Sequence, residues 1–163
     1  MKRLWILRHA KSSWDHPGLA DHDRPLAPRG RKAAKRIARW ADANGVRPDL
    51  VLCSTAVRAQ ATLDLVRPGL GDPEERIERN LYHASVDDIL GLVEASDDAV
   101  AGILLIGHNP MLHELAMALA PPGPEAFPTC ALAGLRLEID RWDDLRPGCG
   151  LIETFVVPRS LAH

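Results

Sequence analysis

The sequence has no apolar run long enough to span a bilayer, so it predicts no membrane-spanning helix. It also has no large excess of charge of either sign. A net charge of −2 at pH 7 argues against a dedicated nucleic-acid or anionic-membrane binder, since each needs a broad basic face. A local basic pocket stays open. Cysteine is scarce, and Cys53, Cys130 and Cys149 are odd in number and widely spaced. They fit no zinc spacing, suit a reducing cytoplasm, and read as small buried hydrophobes. "HELAM", residues 113–117, lacks the second histidine of a zinc-binding helix. The opening Met1-Lys2-Arg3, followed by Leu4 to Leu7, begins like an export signal. Arg8, His9 and Lys11 interrupt it too soon, so no signal is expected. There are no internal repeats.

What is there is an ordinary globular composition, 46% hydrophobic and 26% charged over 163 residues. That length suits one domain, spanning residues 1–163, with a substantial core. Residues 3–7 read as a strand, followed by a polar, histidine-bearing loop over 11–28. Apolar or small residues at Ala33, Ala34, Ile37, Trp40 and Ala41 give helical spacing over 29–43, with Gly45 as a stop. "DLVLC" (49–53) is a short strand, and 56–66 is a helix ended by Pro68. Ser85 and Asp88 form a capping-box pattern that opens a helix over 86–95. "VAGILLI" (100–106) is a continuous apolar strand, as expected where both faces of a parallel sheet are covered. A helix over 110–120 and a Pro-rich connector over 121–128 follow. "LAGLRLEI" and "LIETFVV" alternate around a turn at Pro147-Gly148 and read as antiparallel strands. The expected fold is α/β and three-layered. A mainly parallel central sheet carries helices on both faces, with antiparallel strands added near the C-terminus.

In such sheets ligands bind beyond the carboxyl ends of the strands. Three strands here end in residues with chemistry. The first runs into Arg8-His9. The second runs through Ser54-Thr55 toward Arg58, with Ser54 or Thr55 placed to cap the next helix. The third runs into Gly107-His108-Asn109-Pro110, where Asn109 reads as the N-cap and Pro110 as the first helical residue. Taken singly, each has a plain structural role: a surface ion pair, a satisfied interior histidine, a helix cap. Two arginines, two histidines and helix N-termini at one set of strand exits instead describe a site for a dianion, with phosphate the obvious candidate.

"LRHAKSS", "STAVRAQAT" and "LIGHNP" together resemble the three signature segments of the histidine phosphatase superfamily, the phosphoglycerate-mutase-like fold. "DHDRPLAPRG" (21–30), "LYHAS" (81–85) and the ending "FVVPR" are similar to its SixA-like phosphohistidine phosphatase branch. The resemblance implies that His9 is the phosphorylated nucleophile, with Arg8, Arg58 and His108 holding the phosphoryl group. It also places Arg24 at the pocket rim or as a loop anchor, with Asn109 beside the phosphate.

The implied chemistry makes specific demands. His9 must be neutral, so one ring nitrogen should donate to a backbone carbonyl and fix the tautomer. Arg8 and Arg58 offer forked donors to phosphoryl oxygens. His108, expected to be cationic beside the dianion, adds a donor where transition-state charge sits. Two in-line displacements follow, with arginines supplying the charge and no metal or other cofactor required. The expected partner is a phosphohistidine-bearing protein, a phosphotransfer domain or a phosphocarrier. The short segment 68–81 leaves the pocket open enough to admit one. The alternatives are a small-molecule phosphomonoesterase or mutase-like enzyme of the same fold, and a non-catalytic phospho-binding module. No carboxylate falls where larger members place a general acid: Glu78 comes early, Asp87 late, and His83 is the nearest ionisable group between them. His16 and His22 are candidates for the rim. His113 reads as structural or solvated, and His163 has no readable role.

Overall fold

The computed structural model describes residues 1–161, so His163 lies outside the described residues. Six strands form one sheet: β1 (Lys2–Arg8), β2 (Leu50–Ser54), β3 (Glu74–Glu78), β4 (Gly102–Gly107), β5 (Leu132–Leu137) and β6 (Gly150–Val156). Their order is β3-β2-β4-β1-β5-β6. β3, β2, β4 and β1 are mutually parallel. β5 runs antiparallel to β1, and β6 to β5. The α-helices are α1 (Pro28–Ala43), α2 (Val57–Val66), α3 (Val86–Glu94) and α4 (Met111–Leu119).

The central strands are continuously apolar because both of their faces are covered. Ile103 and Leu105 of β4 join Leu4, Ile6, Leu50 and Leu52 in a cluster with Ile89 of α3 and Leu112 of α4. Leu104 and Ile106 point the other way, with Leu7 and Val51, against Ala34 and Ile37 of α1 and Leu63 of α2. This is the expected three-layer α/β arrangement. All three cysteines are buried and free.

Register places the site. Arg8 pairs with Gly107 and Cys53 with Ile106, so β1, β2 and β4 end level with one another at one edge of the sheet. The chain entering β5 reaches the same edge, where Arg8 N–H donates to the Ala131 carbonyl at 3.1 Å. Gly30 seats the first turn of α1 against the segment after β1. A Cβ at Gly30 would come within 2.1 Å of the Lys11 carbonyl oxygen, which also accepts a 2.9 Å bond from Ala27 N–H.

Three local expectations are corrected. β3 was not foreseen, because "EERIE" is charged and only half-covered. It is an edge strand, paired with β2 alone. The N-cap of α2 is Ala56, with no side-chain cap; Ser54 Oγ accepts from Ala56 N–H just ahead of it, at 3.2 Å. Pro110 is itself the N-cap of α4, and Asn109 turns away to donate to the Phe127 carbonyl at 2.8 Å. The capping box of Ser85 and Asp88 forms as expected.

Candidate active site

A cavity of about 370 Å³ opens at the level ends of β1, β2 and β4. Arg8, His9, Arg58, His108, Arg24, His83 and Asn109 all reach its wall, so the fold brings these predicted site residues together. The wall also carries Lys11, and no Asp or Glu is among its described lining residues. A chain of net charge −2 has therefore concentrated positive charge at one point.

His9 follows the last residue of β1, which carries it from the sheet straight into the cavity. It is 7% exposed, and its Nδ1 donates to the Ala10 carbonyl oxygen at 2.7 Å. That bond assigns the proton to Nδ1 and leaves the lone pair on Nε2. The pKa of His9 is lowered to about 4. Burial is the main cause, partly offset by the Ala10 bond and reinforced by the charges of Arg58, Arg8 and Arg24. The ring is neutral at pH 7, as a nucleophile must be.

His108 lies beside it, with ring centroids 5.2 Å apart. Its Nε2 is 2.8 Å from Ser54 Oγ, while its Nδ1 is buried without a partner. Burial, with the neighbouring His9 and Arg58, pushes its pKa down to about 3. In the open site His108 is thus neutral, because desolvation and nearby positive charge disfavour its protonated form; the expected cationic state belongs to the site with a dianion bound.

The arginines are held from behind. Arg58 Nη1 donates to the Asp21 carbonyl oxygen at 2.7 Å, and its Nη2 to Asp21 Oδ2 at 3.0 Å. Arg8 Nη1 donates to the Phe127 carbonyl oxygen at 3.1 Å. The Nε atoms of Arg8 and Arg58 are buried and unpartnered. Arg24 is both anchor and wall: it donates to Asp21 Oδ1 (3.1 Å), Ser12 Oγ (2.9 Å) and the Ser13 carbonyl (3.1 Å). The exposed indole of Trp14 stacks over its guanidinium at 3.5 Å.

Asp21 and Tyr82 were not anticipated. Asp21 also accepts from Tyr82 Oη at 2.8 Å, so one carboxylate ties Arg24, Arg58 and Tyr82 together. Burial raises its pKa somewhat, but the bonds from Tyr82, Arg58 and Arg24 hold it well below the usual carboxylate range. Its place at the head of "DHDRPL" was the available signal, though nothing in the spacing said which basic residue it meets. Tyr82 carries His83 on its ring, 4.1 Å between centroids, and His83 is exposed with φ 54°.

His16 and His22 do not reach the wall. His16 is exposed, whereas His22 Nε2 bonds Thr55 Oγ1 at 2.9 Å and its ring meets Tyr82 edge-on at 4.8 Å. His113 has a structural role: its Nε2 donates to the Pro124 carbonyl at 2.6 Å.

Comparison with known proteins identifies the family. Residues 4–100 match the family model of the histidine phosphatase superfamily (branch 1). A protein of Mycobacterium tuberculosis is 40% identical, covering 94% of this chain and all of its own. The phosphohistidine phosphatase SixA of Escherichia coli is 30% identical over 83% of this chain and 86% of its own. A SixA structure from Agrobacterium tumefaciens superposes with a TM-score of 0.84 at 30% identity, covering 96% of this chain and 98% of its own. With family model, relatives and fold all in agreement, the chain belongs to the histidine phosphatase superfamily.

Proposed function

We propose that the protein is a phosphatase that works through a phosphohistidine on His9 and takes its phosphoryl group from protein phosphohistidine. The observation that carries this reading is a neutral His9, its Nδ1 tied to Ala10 and its Nε2 unbonded, in a wall of cations without a carboxylate. The SixA likeness supports the substrate class.

In the first displacement the Nε2 lone pair of His9 forms an N–P bond while the P–N bond of the substrate breaks. A substrate ring protonated on its other nitrogen departs as neutral imidazole. The His9 ring gains positive charge, which strengthens the bond from Nδ1–H to the Ala10 carbonyl. Arg8 and Arg58, with Arg24 at the edge, neutralise the phosphoryl oxygens. Ser54 Oγ already accepts from Ala56 N–H, and its own proton is free to go to His108 Nε2. With Ser54 as donor, His108 carries its own proton on Nδ1, a buried N–H with a phosphoryl oxygen as its natural acceptor. In the second displacement water forms the O–P bond, the His9–phosphorus bond breaks, and the surplus proton leaves on the released phosphate. The roles are accordingly nucleophile for His9 and phosphoryl binding for Arg8, Arg58 and His108. His83 is the nearest candidate for a proton donor.

The deciding experiment compares a phosphohistidine peptide, an aryl phosphate, a phosphoserine peptide and glycerol phosphate under identical conditions. Fast turnover of the first, slower turnover of the second and negligible turnover of the others support the reading. Comparable turnover of glycerol phosphate would replace it with a small-molecule phosphomonoesterase.

A further inference from the structure

Helix α1 is charged in a way that works against its own stability. Arg29, Arg31, Lys32, Lys35, Arg36 and Arg39 are all basic, and no carboxylate occurs in the helix before Asp42. Arg29, Lys32, Lys35 and Arg39 succeed one another at spacings of three and four residues, where like charges repel. The first of them sit at the helix N-terminus, the end that disfavours cations. Elsewhere the surface behaves differently: Arg67 pairs with Glu75 and Asp64, Arg76 with Glu74, Arg141 with Asp143, and Arg47 with Asp42. Lys11, Arg29, Lys32, Lys35, Arg39 and Arg159 make no ion pair among the described residues. All six are exposed.

These cations frame a groove. A second cavity of about 490 Å³ lies between α1 and the segments at 128–129 and 157–159, with Arg29, Lys32 and Arg159 on its walls. Ala33, Pro128, Val157 and Pro158 give it apolar patches, and Lys32, Lys35 and Arg39 continue the basic surface along the helix. Lys11 and Thr129 line both this groove and the active-site cavity, so the two adjoin.

We propose that this groove docks an acidic segment of the protein that presents the phosphohistidine, with carboxylates along α1 while the phosphoryl group enters the cavity. This rests on the phosphohistidine reading of the site. Charge complementarity selects an acidic occupant. The described lining of the groove has no aromatic ring on which nucleic-acid bases could stack. The apolar face of α1 is buried against the sheet, so the helix has nothing to insert into a lipid surface. An acidic polypeptide remains.

The test uses two peptides with the same phosphohistidine centre, one flanked by glutamates and one by glutamines, together with a fluorescein-labelled glutamate-rich peptide that lacks phosphate. The variant K32E/K35E/R159E changes only exposed side chains outside the active-site wall. Its thermal melt and its turnover of an aryl phosphate report folding, and K32Q/K35Q/R159Q is a milder second variant. The wild type is expected to favour the glutamate-flanked peptide by about tenfold in kcat/KM, through KM, with the preference fading as salt rises. The charge-reversed variant loses that preference and its binding of the labelled peptide, while its kcat/KM for the glutamine-flanked peptide stays within about twofold. Equal effects on both peptides, or tighter binding of a single-stranded oligonucleotide or phosphatidylserine vesicles than of the labelled peptide, would overturn the proposal. Fluorescence anisotropy of the labelled peptide separates the two readings. If neither phosphohistidine peptide is hydrolysed, the site reading fails, and salt-sensitive binding lost in the variant still decides the groove.

Discussion

Asp21 accepts two hydrogen bonds from the guanidinium of Arg58, one at its carbonyl oxygen (2.7 Å) and one at Oδ2 (3.0 Å). Arg58 is 6% exposed, so Asp21 both orients its fork and offsets the cost of burying its charge. The same carboxylate reaches Arg24 and Tyr82. In the proposed mechanism Asp21 is a positioning residue, acting on the phosphoryl group only through Arg58 and Arg24.

The first prediction follows from that arrangement. A hydrogen bond to a charged group contributes about 1.5–3 kcal/mol, so D21A should weaken inhibition by inorganic phosphate and raise KM by roughly 10- to 100-fold. D21N keeps an acceptor and should lose less. In both, kcat should fall less than KM rises, because His9 is untouched. Measuring kcat, KM and the phosphate inhibition constant separately checks this. A pure kcat loss with unchanged phosphate affinity would show that Asp21 does not act through Arg58.

The second prediction concerns the covalent step. In the proposed mechanism H9A removes the atom that takes the phosphoryl group, and loss of a nucleophile typically costs on the order of 10⁴-fold or more. The wild type, quenched during turnover, should carry an acid-labile, alkali-stable phosphate that H9A lacks. Retention of that label in H9A would assign the intermediate to another residue, and His108 would be examined next.

The positions of these residues were legible in the sequence to different degrees. Arg8, His9 and His108 could be read because each closes an apolar run, and strand ends are where such sheets bind ligands. Arg58 could be read one helical turn beyond such an end. The antiparallel pair at the C-terminus was visible in its alternation. Asp21 was not, because its role depends on a loop folding back so that one carboxylate meets Arg24 three residues on and Arg58 and Tyr82 from distant segments. β3 was hidden by its charge, since an edge strand needs little apolar surface. The neutral state of His108 was also out of reach. It depends on how deeply the ring is buried and on His9 lying 5.2 Å away, neither of which spacing reveals.

The pH dependence follows from the same burial. His9 must be neutral to attack, and its pKa is lowered to about 4. The kcat/KM for a substrate whose own ionisation is constant should therefore stay level as pH falls from 8 to about 5, and drop only near 4. A normal histidine would begin to lose activity near pH 6.5. Stability follows the same sign. The unfolded chain takes up protons at these two histidines near pH 6.5, and the folded chain resists until about 4 for His9 and about 3 for His108. Their contribution to stability is thus full above about 6.5 and shrinks as pH falls toward 4 and then 3. Urea midpoints across that window should decline less steeply in H9A than in the wild type. An activity limb centred near 6.5 would show that His9 is more exposed than the structure has it.

The last prediction concerns the leaving group. No Asp or Glu is among the described residues of the cavity wall, and His83, exposed and stacked on Tyr82, is the nearest candidate for a proton donor. An alkoxide leaves poorly, since its conjugate acid has a pKa near that of water, about 15.7. Imidazole leaves readily, because a ring that protonates near about 6.5 can depart neutral without a strong acid at the site. General acids typically contribute roughly 10²–10⁴-fold, and that range sets the expected gap between phosphohistidine and alkyl phosphates. Across a series of aryl and alkyl phosphates, log kcat/KM should fall steeply as leaving-group pKa rises. H83A should steepen that slope only if His83 supplies the proton. It should leave phosphohistidine turnover nearly unchanged in either case, because that leaving group brings its own proton. A shallow slope in the wild type, with efficient turnover of alkyl phosphates, would mean that a strong acid enters the site from outside the described wall, and the protein would then be read as a phosphomonoesterase.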